Sequence, residues 1–479
     1  MQGKKAYQEK LFMSFRLSDR VPEDNFYRRL NELLDLRWLY KATQSYYGKE
    51  GQQSIDPVVF FKLMLIGYFE NLGSDRRIIN TVSMRMDTLF FIGYDIDEEL
   101  PWHSTLSRTR QLYDKEIFKQ LFQQVLAQCI EKGMVAGRRQ AVDSVFIKAN
   151  ASMDSLVAKE ILKDGLVYAD DLCEQEEGSK SKLNDKYRSA TDADARVATK
   201  PDKPSALNYL AQVSVDTGGH VITNIDVHHA DKADNQCFEE VVEQTKSNLQ
   251  TNGLVLEEVL ADTSYNSGAT LEYLEDNNIE GYIPNKSGYK ADREGFTYNG
   301  DKDEYTCSQG AALPFKGRTA GRGGRYKKIY LSSKADCSVC PLRNQCIGQS
   351  FTKKITVSED KPLLDKMAHK MQTKKGKRMI RLRGSTVEPV LGTLVNFLAM
   401  KRVNTTGIEQ ADKCATMAAS AYNLKKLLKF RETKPKTAIK VMEVVKLAQK
   451  PLFSFLYRVR MTIENIAVPW VCKYLYRTD

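Results

Sequence analysis

The stretch Val255–Gly268, VLEEVLADTSYNSG, decides the fold class. Leu256 to Ala261 is an apolar run that predicts a strand; it ends on Asp262, and Thr263-Ser264-Tyr265-Asn266 turns the chain into a helix predicted over residues 267–275. That puts a carboxylate at the carboxyl end of a strand, where open α/β sheets hold their ligands. Downstream, residues 279–283 predict a further strand. Upstream, a helix is predicted over residues 235–250. Before it, residues 207–215 and 220–227 alternate around Asp216-Thr217-Gly218-Gly219, a hairpin signal. Earlier still, QAVDSVFIKA (residues 140–149) is apolar and β-branched and predicts the first strand. Residues 149–205 are charged and poorly periodic, an excursion with a short helix expected near residues 155–162. Strand, strand, strand, helix, strand, helix, strand makes a mixed α/β layer.

The flanks differ in texture. Residues 20–135 predict short helices joined by capped turns. Asp56-Pro57 is a start signal, Gly73-Ser74-Asp75 a break with a new cap, and Pro101-Trp102-His103-Ser104 a third start. Such a set suits an all-α domain of the helix-turn-helix kind or a plain helical bundle. A chain of 479 residues has length for roughly three domains. With 42% hydrophobic and 28% charged residues it is neither disordered nor a disulfide-stapled mini-protein. Lys and Arg number 72 against 61 Asp and Glu, a net charge of +11. Between Lys286 and Arg383 the balance is 23 against 9, so one segment carries more than the whole excess. Its densest parts hold Arg318, Arg322, Arg325, Lys327 and Lys328, then Lys374, Lys375, Lys377, Arg378, Arg381 and Arg383. A field of that sign attracts phosphate. No apolar run reaches the ~20 residues of a spanning helix, and no signal peptide is visible, so a cytoplasmic protein with no membrane partner is expected.

Three acids stand in apolar contexts: Asp143 inside AVDSVFIKA, Asp262, and Glu388 inside STVEPVLGTLVNFL. A buried carboxylate is costly without a partner, and a hard divalent cation would offset that cost. Two such ions can clamp the attacking and leaving oxygens of a phosphodiester. The chain resembles bacterial insertion-sequence transposases of the DDE class, in the branch with an InsH-like helical N-terminal domain and an interrupted catalytic domain. The resemblance is carried by DPVVFFKLMLIGYFENLGSDRRI, PWHSTLSRTR, AVDSVFIKA, VLADTSYNSGATLEYL, CSVCPLRNQC, VEPVLGTL and AYNLKKLL, across about residues 10–430. It implies an RNase H-like mixed α/β fold with an inserted basic subdomain, behind an all-α N-terminal domain.

Residue by residue, the resemblance implies Asp143, Asp262 and Glu388 as catalytic ligands of Mg²⁺, with Mn²⁺ as a substitute. The implied domains are 1–136 (helical, DNA-end-binding), 137–285 (first catalytic part), 286–380 (basic insertion), 381–430 (last catalytic part) and 431–479 (a basic, helix-prone tail). Terminal inverted repeats and target DNA would be the partners, a homodimer would hold the paired ends, and the protein would be nucleoid-associated. Relatives often carry Tyr-x2-Arg-x3-Glu-x6-Lys around the third acid. Here Arg381, Gly384 and Val395 occupy the Tyr, Arg and Lys positions, which leaves Arg378, Arg381 and Arg383 as candidate DNA contacts. A catalytically impaired DNA-binding protein and an RNase H-like nuclease are the alternatives.

Cys337-x2-Cys340-x5-Cys346, with Cys307 upstream, suits a structural Zn²⁺ held by four thiolates; free buried thiols are the other reading. Cys129, Cys173, Cys237, Cys414 and Cys472 are scattered and expected in cores. His228-His229 follows a strand, where neighbours face opposite ways, so the pair reads as loop or surface residues, open to DNA contact, rather than as a metal site.

Overall fold

The computed structural model describes residues 14–48, 50, 54–159, 180–199, 204–286, 288–289, 291, 293–320 and 325–430, with Gln2 and Lys5. The helical tail expected over residues 431–479 and Arg322 lie outside the described residues. By packing, the described chain as far as Leu428 forms one unit.

The first unit begins with α1 (Leu17–Arg20), α2 (Phe26–Leu33), α3 (Trp38–Thr43), α4 (Pro57–Phe69), α5 (Asp75–Val82), α6 (Met86–Ile92), α7 (His103–Leu112) and α8 (Lys115–Glu131). Asp56 caps α4 by accepting from the Val58 and Val59 amides, and Pro57 supplies the first turn. Nearly every residue of α4 is buried, so it is the hub about which the others pack. This core is continuous with that of the sheet that follows. Polar ties cross between them. Asn404 donates at 3.1 Å to Asp75, which buried Arg110 holds from within the helices at 2.5 Å, and Lys119 of α8 meets Asp226 of β6 at 3.3 Å.

The next elements are β1 (Arg139–Lys148), β2 (Leu156–Ala158), α9 (Lys180–Lys186), β3 (Tyr187–Ser189), β4 (Arg196–Ala198), β5 (Ala206–Asp216), β6 (Ile222–His229), α10 (Asp234–Gln250), β7 (Glu258–Leu260), α11 (Gly268–Asp276) and β8 (Glu280–Tyr282). The helix expected near residues 155–162 is not formed at its start. Ser152 caps only a single 3₁₀ turn, and Leu156–Ala158 then pairs with β3, steadied by a 2.7 Å hydroxyl contact between Ser155 and Ser189. The main sheet runs β6-β5-β1-β7-β8, with β4 pairing the first residues of β5 beyond β6. β5 is antiparallel to both neighbours, while β1, β7 and β8 are mutually parallel. This is the RNase H-like order and polarity.

Asp216 closes the β5–β6 hairpin. Its fully buried carboxylate accepts from the amides of Ala136, Gly137, Gly218 and Gly219 and from the Gln140 side chain. Gly219 is required by contact, since a Cβ there would lie 1.9 Å from the Met134 carbonyl oxygen.

The basic insertion forms its own antiparallel sheet from β9 (Phe296–Asn299), β10 (Glu304–Cys307), β11 (Ala312–Ala320), β12 (Tyr326–Leu331) and β13 (Lys354–Ser358), in the order β13-β12-β11-β10-β9. Tyr305, Leu313, Tyr330 and Ile355 make a separate small core for it. Two short helices, α12 (Lys334–Ser338) and α13 (Arg343–Cys346), lie between β12 and β13. α14 (Lys361–Gln372), α15 (Lys374–Phe397) and α16 (Ile408–Lys429) follow. The boundary expected at 380/381 falls inside α15, which packs against β1, β5, β7 and β8. Cys129, Cys237 and Cys414 are buried as expected, and Cys173 and Cys472 lie outside the described residues. No helix among the described residues is long and apolar enough to cross a membrane.

Candidate active site

Register brings two of the three acids together. β1 and β7 pair as Arg139↔Glu258, Gln140↔Val259 and Ala141↔Leu260. Two residues further on each strand stand Asp143 and Asp262, on the face shared by Ala141 and Leu260. Both lie where β7 ends.

Asp143 is mostly buried, and one of its oxygens accepts from the Ser144 amide at 2.8 Å. Burial raises its proton affinity above the ordinary carboxylate range. The Ser144 amide and Arg383 oppose the rise, and the charge of Asp262 adds to it. Asp262 is extended and caps the turn Thr263–Tyr265, accepting from the Ser264 amide at 2.9 Å and from the Ser264 hydroxyl. Tyr265, wholly buried, donates to Gln212; burial, with the neighbouring charges of Asp234, Asp143 and Asp262, pushes its phenol well upward.

Glu388 comes from α15 and is exposed. It reaches the pair through Arg383, whose Nη1 lies 2.8 Å from Asp143 Oδ2 and whose Nη2 lies 3.3 Å from Glu388 Oε1. Gly384 makes room for this, because a Cβ there would sit 3.1 Å from Glu388 Oε1. Among the described residues no group of three His, Cys, Asp or Glu stands close enough to hold an ion. Two adjacent carboxylates are nevertheless the set that Mg²⁺ takes from proteins, its other positions going to water and phosphate.

The basic residues divide into two sets. Arg318 pairs with Glu359 at 2.8 Å, Arg325 with Glu272 at 2.6 Å and Asp360 at 3.0 Å, and Lys328 with Asp303 at 3.1 Å. Lys327, Arg378 and Arg381 are exposed and have no ion-pair partner among the described residues. Arg378, Arg381 and Glu388 recur at spacings of three and seven, so they share a face of α15. Arg383 does not; it turns inward to the acids.

Cys307, Cys337, Cys340 and Cys346 are partly exposed free thiols that line one cleft of about 410 Å³. The Cys337 sulfur contacts the Ser332 hydroxyl at 3.0 Å. His228 is buried, 3.8 Å from Glu240, whereas His229 bonds the Asp194 carbonyl at 2.8 Å. The two rings have separate partners, but the pair ends β6 rather than following it, and His228 is buried rather than a loop or surface residue.

The inward turn of Arg383, the small Gly384 and the buried Tyr265 escaped sequence reasoning. Arg383 had one signal, its place among the apolar positions of α15.

Family comparison places these features in context. The model of the transposase domain DUF772 matches residues 15–112, and that of the transposase DDE domain matches residues 306–428, a span that includes Glu388. Among solved structures the chain is similar to the piggyBac transposase in a synaptic complex with hairpin DNA. Identity is 10% and the TM-score 0.31, over 81% of this chain and 70% of that one. It is also similar to the Mos1 transposase in a paired-end complex with the left transposon end, at 12% identity and a TM-score of 0.17, over 53% and 67%. The fold assignment rests on strand order and polarity rather than on these scores. Comparison with curated proteins gave no match. Two transposase-domain models thus match the chain in order, one on the N-terminal helices and one ending at α16.

Proposed function

We propose that the chain cuts DNA at the ends of an insertion sequence and joins them to target DNA. The observation that carries this is the side-by-side placement of Asp143 and Asp262 at the end of β7 in an RNase H-like sheet. The two aspartates would hold a divalent cation, Mg²⁺ or in its place Mn²⁺, and Glu388 would complete the set on leaving Arg383. When bound, the ion supplies Lewis acidity toward phosphodiester oxygens and a more acidic water. Water attacks the phosphodiester at the element's end and releases a 3′-hydroxyl; that hydroxyl then attacks a target phosphodiester, so one bond forms for each bond broken. The N-terminal helices recognise the terminal inverted repeats, and paired ends require two copies of the chain. The four insertion cysteines line one cleft, and a structural Zn²⁺ there would have to draw them closer than they stand.

The test uses the full chain, Mg²⁺ and labelled duplexes carrying the element's ends. Cleavage followed by joining to a plasmid supports the proposal. Cleavage without joining makes the protein a nuclease, and binding without cleavage makes it a DNA-binding protein.

Two further outcomes are expected. Arg378→Ala and Arg381→Ala each lower the slope of log K against log salt by about 0.9, as loss of one phosphate contact does. Arg325→Ala, already neutralised by Glu272 and Asp360, moves it much less. Equal slopes for all three would refute this division. Gly384→Ala raises helix stability by up to ~1 kcal/mol. Its Cβ also presses on the Glu388 carboxylate where Arg383 holds it, so the cleavage rate changes while melting does not drop. An unchanged rate would refute that role.

A further inference from the structure

We propose that Arg383 is the resident counter-ion of the acids and sets their affinity for divalent cations, an inference that rests on the metal reading of Asp143 and Asp262. Met379, Thr386, Val387 and Val390 form the buried stripe of α15, and Arg383 falls four residues after the first and three before the second. It is the charged member of a packing stripe. Five positions before Glu388, it is turned about 140° from the face that carries Arg378, Arg381 and Glu388. Its side chain is only 17% exposed.

The guanidinium spends its two arms on two acids, Nη1 on Asp143 at 2.8 Å and Nη2 on Glu388 at 3.3 Å. Asp143 Oδ1 is already held by the Ser144 amide, so both of its oxygens are committed. A divalent ion therefore competes with Arg383 for Asp143 Oδ2, and Glu388 joins the ion only after leaving the same guanidinium. The planar fork suits this post, since an ammonium carries its charge at one point and does not span two carboxylates in the same way. The released guanidinium is itself a phosphate ligand, so DNA arriving at the site can take it from the acids.

The test is Mn²⁺ binding to the full chain without DNA, read as free Mn²⁺ by electron paramagnetic resonance. Arg383→Gln is expected to bind Mn²⁺ at least fivefold more tightly than the parent, with Arg383→Lys in between. Glu388→Gln alone stays within twofold of the parent, but in the Arg383→Gln background it removes most of the gain. Circular dichroism and melting check the fold, and Arg383→Lys carries the test if Arg383→Gln does not fold. If Asp143→Asn lowers uptake but neither Arg383 variant raises it, the counter-ion role is overturned and the metal reading stands. If Asp143→Asn and Asp262→Asn leave uptake unchanged, the metal reading fails and this proposal with it.

Discussion

Asp143→Asn is expected to reduce Mg²⁺-dependent cleavage of a terminal-repeat duplex by on the order of 10³-fold or more, with DNA binding held within about twofold. Lewis-acid stabilisation of a phosphoryl transition state is worth several kcal/mol, and each ~1.4 kcal/mol is tenfold in rate. Asn keeps the shape and the Ser144 contact but loses the charge shared with Asp262 and the ion pair to Arg383. The same loss is expected for Asp262→Asn. The double variant should be little worse than either single one, because groups that act as a unit are not additive. Single-turnover cleavage and gel-shift binding on matched preparations measure both quantities. Cleavage within tenfold of the parent would remove Asp143 from the proposed machinery.

The largest loss of stability is expected at Asp216, well away from the chemistry. Asp216→Ala strands the Gly137 amide and the Gln140 side-chain amide in a buried site and removes the acceptor of three part-buried amides, those of Ala136, Gly218 and Gly219. Unsatisfied buried donors cost about 1–3 kcal/mol each, softened by local relaxation, so a loss of about 4 kcal/mol is expected. Asp216→Asn should recover only part of it, because the new NH₂ group would face donors. Urea unfolding followed by circular dichroism gives the value, and a loss below about 1 kcal/mol would refute the anchor role. The hairpin that presents β5 to β1 hangs on this carboxylate.

These two acids mark what the sequence made legible. Asp143 and Asp262 stood out because acids are poorly tolerated in or at the end of apolar strands, and each falls within a residue or two of its predicted place. The helix predicted at residues 235–250 is Asp234–Gln250, and the Asp216-Thr217-Gly218-Gly219 turn does join two long strands. Local pattern sufficed there because periodicity and turn chemistry are local. The insertion was legible as charge and as a cysteine motif, but not as a sheet. Its sheet is held by a small core of aromatic and aliphatic residues set among lysines, too sparse to show a clear alternation. The partners that neutralise Arg318, Arg325 and Lys328 come from Glu359, Glu272, Asp360 and Asp303, distant in sequence or on other elements. The helix expected near residues 155–162 is not formed at its start for the same reason, since its pairing partner β3 comes from about thirty residues further along the excursion.

The placement of Glu388 on α15, downstream of the whole insertion, has a consequence in time. Protein synthesis is vectorial, at ≈5–20 residues per second, so the stretch between Asp262 and Glu388 takes on the order of 10 s to emerge. Until α15 is made and docks on β1, β5, β7 and β8, the nascent chain carries two aspartates without the third acid or Arg383. On the proposed reading, a copy ending before α15 would keep the N-terminal helices and both aspartates but lack Glu388 and Arg383, so cleavage would wait until α15 is made.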